Sequence, residues 1–121
     1  MFRTFTTVLA AMLVLGAATA VSVPAATRPA ALAGSVGPGF EITVENAHGK
    51  LVTTLKPGRY RLTVHDRSSL LDFHLFGPGV EKRTTVQGTG TVRWLVTFRR
   101  GLYRYQCDAH QTILSGSFRV T

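Results

Sequence analysis

The strongest constraint on the fold is a two-residue alternation of apolar side chains that recurs along most of the chain. It is clearest where Val92, Trp94, Val96 and Phe98 occupy every second position. Successive side chains of a β-strand point to opposite faces, so this period predicts strands with one buried face. Beyond the first 20 residues, no stretch shows the 3.6-residue period of an amphipathic helix. The sequence therefore predicts an all-β fold.

Turn sequences rich in glycine separate the alternating segments. They lie at Asn46–Gly49, Lys56–Gly58, Gly77–Gly79, Gly88–Gly90 and Arg99–Gly101. These turns delimit about seven short strands, and strands at such spacing are typical of a sandwich of antiparallel sheets. We therefore predict an antiparallel β-sandwich.

The N-terminal part of the chain has a different character. Arg3 precedes an uncharged apolar run from Val8 to Ala18, and a small-x-small pattern ends at Ala20. This predicts a signal peptide over residues 1–20, and hence an exported protein that is periplasmic, on the cell surface or extracellular. An uncleaved membrane anchor is the alternative, although the run is shorter than the ~20 residues that span a bilayer. Residues 21–38 are predicted to be a flexible linker rich in Ala, Pro and Gly, and residues 39–121 the folded domain, with its first strand near Phe40.

Composition narrows the classes of function. The chain has 121 residues, which is too short for a two-domain nucleotide enzyme or an α/β barrel. It is 45% hydrophobic and 17% charged, which is typical of a folded domain. Lys and Arg total 14 against 6 Asp and Glu, and the net charge of +8 favours anionic partners. Cys107 is the single cysteine, which excludes an internal disulfide.

Cys107 and His110 are the pair best suited to chemistry. A predicted strand ends at Cys107, a loop brings His110 back three residues later, and a second strand leaves through Phe118. A soft thiolate and an imidazole on one tight loop can reach a single ion, which suits copper, or zinc if further ligands are added. The structural alternatives are a small buried cysteine and a loop histidine bonded to the backbone.

This segment resembles the cupredoxins, the blue copper proteins of the plastocyanin and azurin type, and in particular their small exported bacterial members. The family signature is an aromatic-rich strand, Cys-x-x-His, a methionine and a glycine, which Cys107, His110 and Gly116 match. The segment Asp72–Gly79 is similar to the family's His-Asn-Phe-His-Leu-x-Gly-Pro-Gly stretch. The resemblance covers the chain from Phe40 onwards. It implies a cupredoxin-like Greek-key β-sandwich with one copper ion at one end, used for one-electron transfer.

Two of the family's ligand positions carry other residues. Leu114 stands at the axial methionine, whose copper contact is long and weak and mainly tunes the potential. Leu71 stands at the upstream histidine. His74 matches the family's second histidine and is the first candidate for a third ligand, but residues 71 and 74 of a regular strand point to opposite faces, so a bulge is required. His65 is the second candidate.

Three functions remain open from the sequence. The leading expectation is an electron carrier in which Cys107 supplies the thiolate, His110 the equatorial imidazole and Leu114 an apolar cap. The alternatives are a two-coordinate Cu(I) scavenger, and a metal-free binding or structural module with Leu71 and Leu114 at its apolar end.

The expected partner is an acidic redox protein, because long-range attraction raises encounter rates. Basic residues in the C-terminal strands and turns form either a solvated surface that keeps the domain soluble, which is the favoured interpretation, or one basic face on which this partner docks: Arg93, Arg99, Arg100, Arg104 and Arg119. We expect a monomer that is neither an enzyme nor a nucleic-acid binder, because a small sandwich has little cleft and no nucleic-acid module is recognised.

Overall fold

The computed structural model describes residues 16–18 and 28–121, and the described part contains nine strands and a short 3₁₀ helix. The strands are β1 (Ala30–Val36), β2 (Ile42–Asn46), β3 (Thr54–Leu55), β4 (Gly58–Asp66), β5 (His74–Gly77), β6 (Val80–Arg83), β7 (Gly90–Phe98), β8 (Gly101–Gln106) and β9 (Ser115–Val120). The 3₁₀ helix, Asp108–His110, lies between β8 and β9. The predicted signal peptide lies outside the described residues apart from 16–18, and so do residues 21–27 of the predicted linker.

The strands form two sheets, in the orders β2-β1-β4-β7 and β3-β9-β8-β5-β6. The chain passes between the sheets from β2 to β3, β3 to β4, β4 to β5, β6 to β7 and β7 to β8, which builds a sandwich. The all-β sandwich prediction is confirmed. It differs from the structure in strand number, nine instead of about seven, and in direction, because β1 runs parallel to β4 and β3 parallel to β9. Both sheets are therefore mixed.

The predicted start of the folded domain is wrong. Strand β1 lies inside the segment predicted as linker, yet it is paired along its length with β2 on one side and β4 on the other. Its inward positions, Leu32, Gly34 and Val36, are buried. At Gly34 an added Cβ would lie 3.0 Å from the Phe73 ring, so the residue must be small there. Because several positions of β1 carry alanine, glycine or serine, the alternation of apolar and polar side chains in this strand is weak in the sequence. Phe40, predicted to start the first strand, instead lies in the β1–β2 turn and is 72% exposed.

The apolar faces of the two sheets enclose one core. Its aromatic centre includes Phe98, whose ring meets those of Tyr103 and Phe118 edge-on at 4.7 and 5.3 Å between centroids. Such edge-to-face pairs stabilise a fold by more than the burial of their apolar area alone. Tyr60, Phe73 and Phe98 are buried in this core, and Trp94 packs at its margin.

Register defines two ends of the sandwich. At one end, which we call the site end, Val36 of β1 pairs with Asp66 of β4, and the chain leaves β8 for the 3₁₀ helix. At the opposite end, Gly58 of β4 pairs with Phe98 of β7 and Gly101 of β8 pairs with Val120 of β9. The segments that carry the predicted site residues therefore meet at the site end.

Candidate functional site

Cys107 begins a short loop that is closed by three backbone hydrogen bonds. The residue is extended and caps the N-terminus of the 3₁₀ helix. The His110 N–H donates to the Cys107 carbonyl at 3.0 Å, and the Leu114 N–H donates to the His110 carbonyl at 2.8 Å. The Cys107 N–H donates to the Leu114 carbonyl at 3.0 Å. These bonds close one tight turn, with Cys107 and His110 three residues apart along it.

The surroundings of these two donors are apolar. Cys107 is a free thiol with no exposed surface, and its side chain makes no capping hydrogen bond to the 3₁₀ helix. Leu114 is also buried. The imidazole of His110 is half-buried and meets the Phe40 ring edge-on, with 5.5 Å between the centroids. Among the described residues, no side-chain hydrogen bond engages the His110 imidazole, so it is free of a competing structural role there.

Leu71 and His110 both line an open depression of about 210 Å³ at the site end. The other residues that line it are Pro38, Gly39, Phe40, Ser68 and Leu70. Leu71 itself is 4% exposed, so its side chain belongs to the packed floor of the depression. The position that the family resemblance aligns with an upstream histidine therefore opens on the same depression as His110, but it carries no donor atom.

His74 occupies a different environment from the one expected. Leu71, Phe73 and Leu75 are buried in the core, and His74 points to the other face, as the strand parity predicts. Although His74 points away from the core, it is buried. Its Nδ1 lies 2.8 Å from Oδ1 of Asp108, and its Nε2 lies 2.6 Å from Oε1 of Glu81.

These contacts oppose a ligand role for His74. Burial by itself lowers the pKa of His74, but the hydrogen bonds and charges of Asp108 and Glu81 outweigh burial and raise the pKa above its usual value. Both ring nitrogens are already engaged in hydrogen bonds, so ligation of a metal would require one of these bonds to break. His74 instead bridges two carboxylates.

A polar cluster around Asp108 supports the Cys107 loop, and the sequence analysis missed it. The Asp108 N–H donates to Oδ1 of the buried Asp72 at 2.8 Å, and Gln106 donates to Oδ1 of Asp108 at 3.0 Å. Burial raises the pKa of Asp108, but the hydrogen bonds from Gln106 and His74 outweigh it and lower that pKa. The sequence signal that could have indicated this cluster is the position of its two aspartates. Asp72 directly follows Leu71, and Asp108 directly follows Cys107.

His65, the second candidate for a third ligand, lies on the outer face of the first sheet. It alternates with the buried Val64 of β4, and its Nδ1 is 3.2 Å from the Thr91 hydroxyl across the strand pair. Its side chain therefore points away from the core that contains Cys107. Across residues 16–18 and 28–121, no group of three or more His, Cys, Asp or Glu side chains is arranged to hold a metal ion.

The predicted basic face is divided by the fold. Arg93 pairs with Thr63 on the outer face of the first sheet, whereas Arg104 pairs with Phe76 on the second sheet. Arg99 and Arg100 lie in the β7–β8 turn at the end opposite the site. The arginines therefore do not form one face.

A sandwich of two mixed sheets with a Cys-x-x-His loop before the last strand is a cupredoxin fold, and solved structures confirm it. A structure of reduced rusticyanin matches with a TM-score of 0.54 and 18% identity, over 75% of this chain and 78% of that one. Rusticyanin from Thiobacillus ferrooxidans matches with a TM-score of 0.51 and 20% identity, over 75% and 76%. A multi-copper oxidase from Pediococcus acidilactici matches with a TM-score of 0.50 and 16% identity, over 85% of this chain and 28% of that one. At these identities the likeness shows the fold.

No family model and no curated protein sequence matches the chain. Within residues 16–18 and 28–121 the structure has no apolar helix of membrane-spanning length.

The described side chains do not fit a type 1 copper site. Such a site is a trigonal set of two imidazoles and one thiolate with a weak axial ligand. This end of the sandwich offers the Cys107 thiol and the His110 imidazole, while Leu71 and Leu114 carry no donor and His74 is bonded to Asp108 and Glu81. The described side chains at the site end therefore offer two donors to a copper ion, one fewer than a type 1 site requires in its trigonal plane.

Proposed function

We propose that this protein is an exported Cu(I)-binding protein that holds one ion between Sγ of Cys107 and the imidazole of His110. The observation that carries the proposal is the hydrogen-bonded loop, which keeps these two donors on one turn. Soft thiolate ligands select Cu(I), and imidazole also suits copper. Cu(I) accepts two donors in a near-linear arrangement, so it needs no third ligand.

The apolar surroundings support the monovalent ion over the divalent one. One thiolate neutralises Cu(I), and a neutral pair costs much less to bury than a residual charge. Cu(II) with the same two donors would leave one positive charge among Leu71, Leu114 and the Phe40 ring. Copper capture or delivery is therefore better supported than rapid electron exchange.

Electron transfer through a type 1-like site is the second candidate, and the cupredoxin fold favours it. It requires a second equatorial imidazole. All four histidines lie within the described residues, so this donor would have to be a rearranged His74 or His65. A metal-free module is the third candidate. The two buried leucines at the ligand positions favour it, because they close the site end with packed side chains.

The deciding experiment is an anaerobic titration of the purified protein with Cu(I), in competition with a chromogenic Cu(I) chelator. We expect one ion bound per chain, without visible colour. Cys107→Ser and His110→Ala should each remove binding in this competition. The matched control is His48→Ala, because His48 lies in an exposed turn.

Each alternative has its own signature in the same preparation. An intense visible band on addition of Cu(II), absent in Cys107→Ser, would favour electron transfer. Failure to retain either oxidation state of copper would favour the metal-free module. Cu(I) binding that survives in Cys107→Ser would contradict the proposed ligand set.

A further inference from the structure

We propose that the end of the sandwich opposite the site docks on an anionic phospholipid bilayer, with the Cys107 loop directed away from the membrane. We call this surface the basic end and define it by six residues, Arg28, Lys56, Arg59, Arg99, Arg100 and Arg119. The proposal stands on charge and topology and does not depend on copper binding.

Strand register brings the six residues to one end. Arg59 is the second residue of β4 and pairs with Thr97 next to the end of β7. Arg119 pairs with Leu102 at the start of β8. Lys56 lies between β3 and β4, and the β7–β8 turn consists of Arg99 and Arg100. Arg28 precedes β1, whose first residue pairs with the third residue of β4 at this end.

The acidic residues lie elsewhere. Four of the six carboxylates are at the site end, in the β1–β2 turn, the last position of β4 and the two loops that follow β4 and β8: Glu41, Asp66, Asp72 and Asp108. The other two, Glu45 and Glu81, are within strands β2 and β6. All six residues of the basic end are exposed, and the ion pairs between described side chains involve none of them. The net positive charge of the described residues is thus concentrated at the basic end.

The shape of the cluster fits a surface better than a groove. Arg59 lies on the outer face of one sheet and Arg119 on the outer face of the other, and the β7–β8 turn joins the two sheets between them. The cations therefore surround the tip of the sandwich instead of lining a single face. Guanidinium groups bind phosphate oxygens in a bidentate manner, so headgroup phosphates are suitable partners.

The path of the chain favours a membrane over an acidic protein. Because β1 begins at the basic end, the sequence that precedes Ala30 joins the domain at this end. That sequence contains the apolar run from Val8 to Ala18. If the run is retained as an anchor, it holds the basic end against the lipid, and an apolar segment combined with a polybasic surface is a recognised pair of membrane-binding signals.

The test compares vesicles of phosphatidylcholine alone with vesicles that also contain phosphatidylglycerol, using the full chain. The measured quantity is the ratio of the two partition coefficients, in which the contribution of the apolar segment cancels. We expect a clear preference for the anionic vesicles that weakens with salt. Arg99→Gln combined with Arg100→Gln should lower the preference by about thirtyfold, on the basis of the typical contribution of two basic residues near such a surface.

The matched control is Arg93→Gln combined with Arg104→Gln, which removes the same charge from the exposed sheet faces. It should lower the preference several-fold less than the turn variant. Hydrogen exchange on anionic vesicles should slow in residues 56–59 and 99–101 and remain unchanged in residues 38–40 and 68–71.

Four results would overturn the proposal. They are equal losses in the two double variants, no preference of the unaltered chain for anionic vesicles, slowed exchange at the site end instead, and stronger binding to soluble polyglutamate than to vesicles. The last result would assign the basic end to an acidic macromolecule. Cys107→Ser should leave the lipid preference unchanged, so this test and the copper titration can fail separately.

Discussion

Two leucines determine what the site end can bind. Leu71 forms part of the floor of the depression that His110 also lines, and the Leu114 backbone is hydrogen-bonded to Cys107. Both side chains are buried and neither has a donor atom. In a site built for type 1 copper, both positions would contact the ion. At the scale of single residues, the difference between a Cu(I) site and an electron-transfer site therefore rests on Leu71 more than on Leu114, because the axial ligand is dispensable.

Restoring an imidazole at position 71 is a direct test of this view. Leu71→His places a third donor next to His110, so we expect the variant to bind Cu(II) with an intense thiolate-to-copper absorption band. In the unliganded variant, a buried imidazole without a partner should cost about 1–3 kcal/mol of stability. The measurement is a Cu(II) titration followed by visible absorption, with circular dichroism to verify folding.

The matched control is Leu70→His, because Leu70 is adjacent in sequence but 75% exposed. It should bind no more Cu(II) than the unaltered protein. A folded Leu71→His variant without the absorption band would show that position 71 does not face the Cys107 and His110 donors.

Gly116 illustrates what a residue-level resemblance can predict. It was identified as the glycine of the family signature, and the structure supplies a packing reason for it, because an added Cβ would overlap the Tyr105 ring. His74 illustrates the opposite case. Its identity was visible in the sequence, but its two carboxylate partners come from strand β6 and from the 3₁₀ helix.

At the scale of elements, the His74 cluster joins four parts of the fold. His74 in β5 contacts Glu81 in β6 and Asp108 in the 3₁₀ helix, and Arg83 lies 3.7 Å from Asp108. Asp72, in the segment between β4 and β5, accepts the Asp108 N–H. The cluster thereby attaches the Cys107 loop to the second sheet from its outer side.

The charge state of this cluster predicts a pH dependence of stability. Because the folded-state pKa of His74 is raised, its contribution is complete below the ordinary histidine pKa of about 6.5 and is lost as pH rises through the folded-state pKa. The pKa of Asp108 is lowered, so its contribution is lost as pH falls through the acid range. The cluster should therefore stabilise the fold most between these limits.

Urea unfolding at about pH 6 and about pH 9 measures the alkaline side of this window. We expect lower stability at the higher pH, and a smaller difference between the two pH values in His74→Gln. His48→Gln is the control, because His48 is exposed and contacts the chain through its backbone. An unchanged pH dependence in a folded His74→Gln variant would rule out His74 as its source.

At the scale of the whole molecule, β1 holds the first sheet together. It lies between β2 and β4, and its removal would separate β2 from the rest of its sheet. Its inward side chains Leu32 and Val36 would leave the core at the same time. The chain is also polarised, with the candidate site and most carboxylates at one end and the basic end at the other.

Two N-terminal truncations test the role of β1. A chain that begins at residue 28 retains all nine strands, and we expect it to unfold in one cooperative transition. A chain that begins at residue 37 lacks β1 and should fail to form the native core. Circular dichroism in the near ultraviolet and thermal denaturation distinguish the two. If both chains fold with equal stability, β1 would be dispensable and the originally predicted domain boundary would be adequate.

The sequence by itself determined the strand class, the inward positions of most strands and the spacing of Cys107 and His110. These features are local, because the two-residue period and the length of one loop depend on neighbouring residues. It also predicted correctly that Leu71 and His74 point to opposite sides, although the strand itself begins at His74.

Only the tertiary structure decided that β1 belongs to the first sheet, that His74 is buried and that the charges separate towards the two ends of the sandwich. A strand composed mainly of alanine, glycine and serine has a weak local signal and is held by pairing with β2 on one side and β4 on the other. His74 is buried because side chains from other elements cover it, and the basic end exists because register aligns the ends of separate strands. Each of these depends on contacts between residues far apart in the chain, which no local pattern records.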